Sequence, residues 1–100
     1  MRIASCERIR GAREAAGLTQ NQLANAANVW SNSVSRWERG HTEPSAEAYG
    51  AIADVTGVRF EWLARGVGPV SDDPARSDKV RSRIADSRFA RQRRSRSSDS

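Results

Sequence analysis

Residues Thr19 to Gly40 read TQNQLANAANVWSNSVSRWERG, and this stretch decides the fold. Thr19 is an N-cap candidate, because its hydroxyl can accept a hydrogen bond from a free amide of the first helical turn. Gln20 to Ala27 follows as a helix with Leu23, Ala24 and Ala27 on its inner side. Asn28 stands where the chain must reverse, and Asn tolerates left-handed backbone values better than most residues. A second helix then runs from about Ser31 to Arg39 and stops at Gly40, a residue suited to the C′ position.

The second helix has two unlike faces. At about 100° per residue, Ser31, Ser35, Arg39, Asn32 and Arg36 fall within one arc of roughly 140°. Val34 and Trp37 lie on the opposite side, with Glu38 at the border. The polar arc carries groups that can read base edges: Arg for guanine, Asn for adenine, Ser for either. A solvated polar face on an amphipathic helix has the same pattern. The preceding helix, the turn and the basic balance of the chain favour insertion into a DNA major groove. Ser31, Asn32 and Arg36 are then the candidate base contacts, with Ser35 a lesser one. Gln20, at the positive end of the preceding helix, is a candidate phosphate ligand.

Several motifs in order resemble the XRE (Cro and lambda-repressor) class of helix-turn-helix regulators. They are LTQ (Leu18 to Gln20), Leu23-Ala24 and VSRWERG (Val34 to Gly40), then EPS (Glu43 to Ser45) and IAD (Ile52 to Asp54). The likeness continues through Gly57-Val58 and EWLARGVGP (Glu61 to Pro69), so it covers residues 3–69. It implies an all-α fold: a small five-helix lambda-repressor-like domain that binds double-stranded operator DNA as a homodimer and acts as a repressor. It also implies phosphate contacts from Thr19 and Arg39. An ion pair between Arg13 and Glu38, tying the first helix to the recognition helix, follows from the same resemblance. Antitoxins of this fold bind a toxin partner as well as DNA, which leaves a second reading open. Three positions depart from the usual pattern: Asn28 replaces a common Gly, and Trp30 and Arg59 replace polar helix caps.

Outside the central stretch, the first helix is expected from Ser5, an N-cap candidate, to about Ala16, with Ile9, Ala12 and Ala16 facing inward. Pro44 keeps Glu43 out of a helix, so His41 to Pro44 reads as a loop. Ser45 caps a fourth helix ending near Thr56, with Tyr49, Ile52 and Ala53 inside. Gly50 within it costs about 1 kcal/mol relative to alanine. A fifth helix runs from about Phe60 to Arg65 and ends at Gly66. Trp37 is expected in the core, Trp62 there too, and Trp30 exposed.

Composition sets the limits. A domain of about 70 residues buries only about 60% of its unfolded surface, so the core is modest. No apolar run approaches the roughly 18 residues of a membrane span, and no secretory signal is present, so a cytoplasmic protein is expected. One cysteine, Cys6, and one histidine, His41, provide neither a disulfide nor a metal-ligand set. Neither a nucleophile–base constellation nor a glycine-rich phosphate loop is present, so no enzyme and no cofactor are expected.

Charge divides the chain. Residues 1–70 hold eight Arg against six Glu and one Asp, whereas residues 71–100 hold eight Arg and one Lys against five Asp. The net charge of +5 thus sits mostly in the second part. A domain over 1–70 and an Arg/Ser-rich flexible tail over 71–100 are expected. Val80 and Ile84 are four apart, a spacing compatible with a fraying helix from about Ser77 to Arg91. The cluster RFARQRRSR (Arg88 to Arg96) reads either as a phosphate-binding arm or as a solubilising segment.

Overall fold

The computed structural model describes residues 3–98, and side chains as far as residue 87. Its elements are α1 (Ser5–Ala15), α2 (Gln20–Ala27), α3 (Ser31–Glu38), α4 (Ala46–Thr56), α5 (Phe60–Arg65) and α6 (Pro74–Ser98). There is no strand among the described residues.

Local chemistry sets most of the boundaries. Thr19 Oγ1 accepts from the Gln22 amide at 3.1 Å while the Gln22 side chain accepts from the Thr19 amide at 2.9 Å. This reciprocal capping box satisfies two donors at the start of α2. Asn28 closes that helix with φ 59°, and the Val29 amide returns to the Ala24 carbonyl. Ser45 Oγ caps α4 through the Ala48 amide at 3.1 Å. The first helix differs from expectation: Ala4 holds the N-cap position, and the Ser5 hydroxyl donates to Glu43 Oε1 at 3.1 Å instead. That bond ties the start of α1 to the loop before α4.

Helix α1 is the central element, touching α3, α4, α5 and α6. Ile9 and Ala12 are fully buried, and Ala15 completes their stripe. Ala16, expected in that place, is the C-cap residue and only half-buried, because the helix has ended before it. Ile9, Leu23, Val34, Ile52 and Leu63, one from each of the first five helices, are wholly enclosed together. Each such side chain contributes about 1.5–3 kcal/mol of burial free energy.

The sixth helix is the main departure from the sequence reading. Residues 74–87, expected within a flexible tail that could form no more than a fraying helix from about Ser77, are helical and packed, so six helices replace the expected five. Val70, Val80 and Ile84 join the same core as Ile9 and Ala12. Two apolar residues of α6 suffice because Val80 and Ile84 lie against Gly11 of α1. The connection is also built: Asp73 Oδ1 accepts from the Ala75 amide at 3.0 Å, and Ser71 Oγ donates to the Gly57 carbonyl at 2.8 Å. The Ser77 hydroxyl accepts from the Ser71 amide and donates to the Ser71 carbonyl. The side chains of Arg88 to Arg96 lie outside the described residues.

Candidate nucleic-acid interface

Helices α2 and α3 cross at the Asn28 turn, and a buried carboxylate fixes their relation to α1. The Glu38 side chain is 1% exposed. Arg13 binds it in a fork, Nε to Oε2 at 2.6 Å and Nη2 to Oε1 at 2.9 Å. This bidentate geometry is the strong form of the Arg–carboxylate bond. It raises the Arg13 pKa above its ordinary value, against the opposing effect of burial. Arg13 Nη1 also donates to the Leu18 carbonyl at 2.9 Å, so one guanidinium joins α1, the α1–α2 connection and α3.

Two further residues reach Glu38. Arg10 Nη2 donates to its backbone carbonyl at 3.0 Å, with Nε 3.5 Å from Oε1. Gln20 Nε2 donates to Oε1 at 3.2 Å. A buried carboxylate without such partners would be costly, so the cluster works as one unit. Gln20, a candidate phosphate ligand, is therefore anchored by one amide hydrogen and keeps a second to donate outward. Thr19 is exposed, and its hydroxyl accepts within the capping box while retaining its own hydrogen.

The candidate reading residues divide by exposure. Asn32, Arg36 and Arg39 are exposed, while Ser31 and Ser35 are half-buried. Among the described residues, none of these five side chains has a hydrogen bond or ion pair to another part of the chain. Opposite them, Val34 and Glu38 form the buried face of α3. The burial axis is thus rotated from the one expected, which had Val34 with Trp37. Trp37 is only half-buried, at the edge of that face, whereas Trp62 is the tryptophan in the core at 7% exposure. Trp30 is 82% exposed, as expected for its place at the helix start. A groove of about 750 Å³ runs between Asn21, Asn25, Asn28, Trp30, Trp37 and Ala48.

Several structural residues escaped the sequence reading. Arg8 is buried and donates from Nε to the Leu63 carbonyl at 3.0 Å and from Nη2 to the Ala64 carbonyl at 3.4 Å. A third bond reaches the Ile3 carbonyl. A six-residue helix ending in a partly buried site gains from a cation on its last carbonyls. Arg76 does the same for α1, donating to the Ala15 carbonyl at 3.1 Å.

The geometry can be set beside known proteins. The family model described as "Helix-turn-helix" matches residues 9–63. The HTH-type transcriptional regulator DdrOP3 of Deinococcus deserti is 36% identical over 70 residues, 70% of this chain and 54% of that protein. DicA of Escherichia coli, also an HTH-type transcriptional regulator, is 38% identical over 60 residues, 60% of this chain and 44% of DicA. An HTH-type transcriptional regulator of Haemophilus influenzae is 39% identical over 46 residues, 46% of this chain and 19% of its own length. The matches thus span about half or less of these curated relatives. No solved structure matches the chain significantly. With the matched residues running from α1 through α5 and enclosing the α2–turn–α3 unit, the chain belongs to the XRE-type helix-turn-helix family.

Proposed function

We propose that this protein is a transcriptional regulator that binds operator DNA as a homodimer and represses by occupying it. One observation carries the reading. Asn32, Arg36 and Arg39 project from a helix held rigidly through Glu38, yet they satisfy no group of their own chain among the described residues. Arg can bond guanine O6 and N7 in parallel, and Asn can bond adenine N6 and N7. Arg36 and Asn32 are assigned to bases, with Ser31 and Ser35 at the edge of the contact. Thr19, Gln20 and Arg39 are assigned to phosphates, which set register and affinity rather than sequence preference. A single module buries little DNA, so two copies on half-sites about one helical turn apart are proposed. The relatives named as HTH-type transcriptional regulators are consistent with this role.

The test is selection of duplexes from a random pool, followed by two variants. Arg36→Ala should cost about 1–3 kcal/mol on the selected site and relax preference at one base pair per half-site. Gln20→Ala should weaken binding to selected and scrambled DNA by a similar factor. Equal losses for Arg36→Ala on both DNAs would assign that residue to the backbone. A folded protein that selects no sequence would overturn the reading.

A further inference from the structure

We propose that Trp30 is a specificity-determining DNA contact, its indole seated on the C5-methyl group of a thymine in the major groove. The inference rests on the operator-binding reading above, and it adds a residue and a chemical group to it. Trp30 occupies the N-cap of α3 but makes no side-chain cap bond. Positions of this kind favour Ser, Thr, Asp or Asn, whose side chains do cap. The helix therefore forgoes a cap in favour of a large ring that its own chain leaves 82% exposed.

That ring is held out from a fixed base. The Trp30 carbonyl accepts from the Ser33 amide at 3.0 Å and the Val34 amide at 3.3 Å. On its other side Val29 packs against the core, and Val34 is completely buried. The backbone at residue 30 is thereby pinned from both directions, while the exposed indole lines the groove shared with Asn28, Ser31 and Ser33. A recognition helix enters the major groove with its N-terminal residues at the base edges. Trp30 directly precedes Ser31 and Asn32 at that end of the helix, so DNA seated on the start of α3 comes within reach of the ring.

The apolar group that DNA offers there is the thymine methyl. An indole supplies a wide apolar surface at low entropic cost, and its N–H remains free to donate to a neighbouring phosphate. A phosphate bond alone would carry no base preference, so the two interactions separate experimentally.

The experiment uses the full chain and the duplex it selects from a random pool, with each thymine replaced in turn by deoxyuridine, which lacks only the methyl. Wild type and Trp30→Ser are compared. The serine removes the ring and supplies a capping hydroxyl, and thermal unfolding verifies that the variant is folded. Removing one buried methyl group should weaken wild-type binding about fourfold at one position per half-site. Trp30→Ser should bind the thymine duplex more weakly than wild type does, and should bind its uracil counterpart equally well. A thymine–uracil difference that persists in Trp30→Ser assigns the methyl to another side chain and overturns the proposal. Loss of affinity in Trp30→Ser with no thymine–uracil difference in wild type also overturns it, in favour of a phosphate bond. Selection of a site with neither effect overturns the Trp30 assignment while leaving operator binding intact. Failure to select any site overturns operator binding itself.

Discussion

Gly11 of α1 and Ile84 of α6 meet so closely that a Cβ on residue 11 would lie 2.5 Å from Ile84 Cγ1. A side chain there cannot coexist with Ile84 as it stands. Alanine would normally gain about 1 kcal/mol over glycine in mid-helix. Here overpacking costs about 1–3 kcal/mol, so Gly11→Ala should be net destabilising. In an Ile84→Ala background the same substitution should turn neutral or favourable. Chemical denaturation of the four proteins of this cycle measures the coupling; equal effects in both backgrounds would mean that α6 does not pack on Gly11.

Gly50 of α4 is the counterexample within the same fold. A Cβ there would meet nothing within 4 Å, and its φ is not in the left-handed region. Gly50→Ala should therefore raise stability by up to about 1 kcal/mol. A melting temperature that fell on this change would point to an unseen constraint on α4.

The Glu38 cluster predicts an asymmetry between its members. Glu38→Ala leaves the guanidiniums of Arg13 and Arg10 without their shared carboxylate, and should cost about 3–5 kcal/mol. Arg13→Met keeps the packing of the side-chain stem, and Arg10 and Gln20 still reach Glu38. It should cost less than either Glu38→Ala or Arg13→Ala. A double-mutant cycle between residues 13 and 38 giving a coupling near zero would make these charges energetically independent.

Two truncations separate the structural part of α6 from its basic end. Removing residues 71–100 takes Val80 and Ile84 out of the core, and should cost about 1.5–3 kcal/mol for each. Removing residues 88–100 spares both. If Arg88 to Arg96 bind phosphates, the shorter truncation should flatten the salt dependence of DNA binding. The log–log slope should fall by about 0.9 for each phosphate that is no longer neutralised. An unchanged slope leaves that cluster a solubilising role, with sequence preference intact in either case.

Features decided within a turn or two of backbone were legible in the sequence itself. Thr19, Asn28, Gly40, Ser45, Gly57 and Gly66 stand at helix ends in the structure because caps and left-handed residues act over about four positions. The polar arc of α3 was legible for the same reason, since helical periodicity alone collects Asn32 and Arg36 on one side. The Arg13–Glu38 pair was reachable only through resemblance to a family. What the tertiary structure decided is which partners meet across long separations. Arg8 bonds a carbonyl 55 positions away, and nothing in its neighbourhood distinguishes it from the surface arginines. Glu38, at the border of the wheel, becomes the most enclosed charge of the cluster because three side chains from α1 and α2 converge on it. Residues 74–87 carried too few apolar groups to predict order on their own. Val80 and Ile84 suffice only because Gly11 leaves a space for them on α1, and a sequence pattern read one segment at a time cannot register that complementarity.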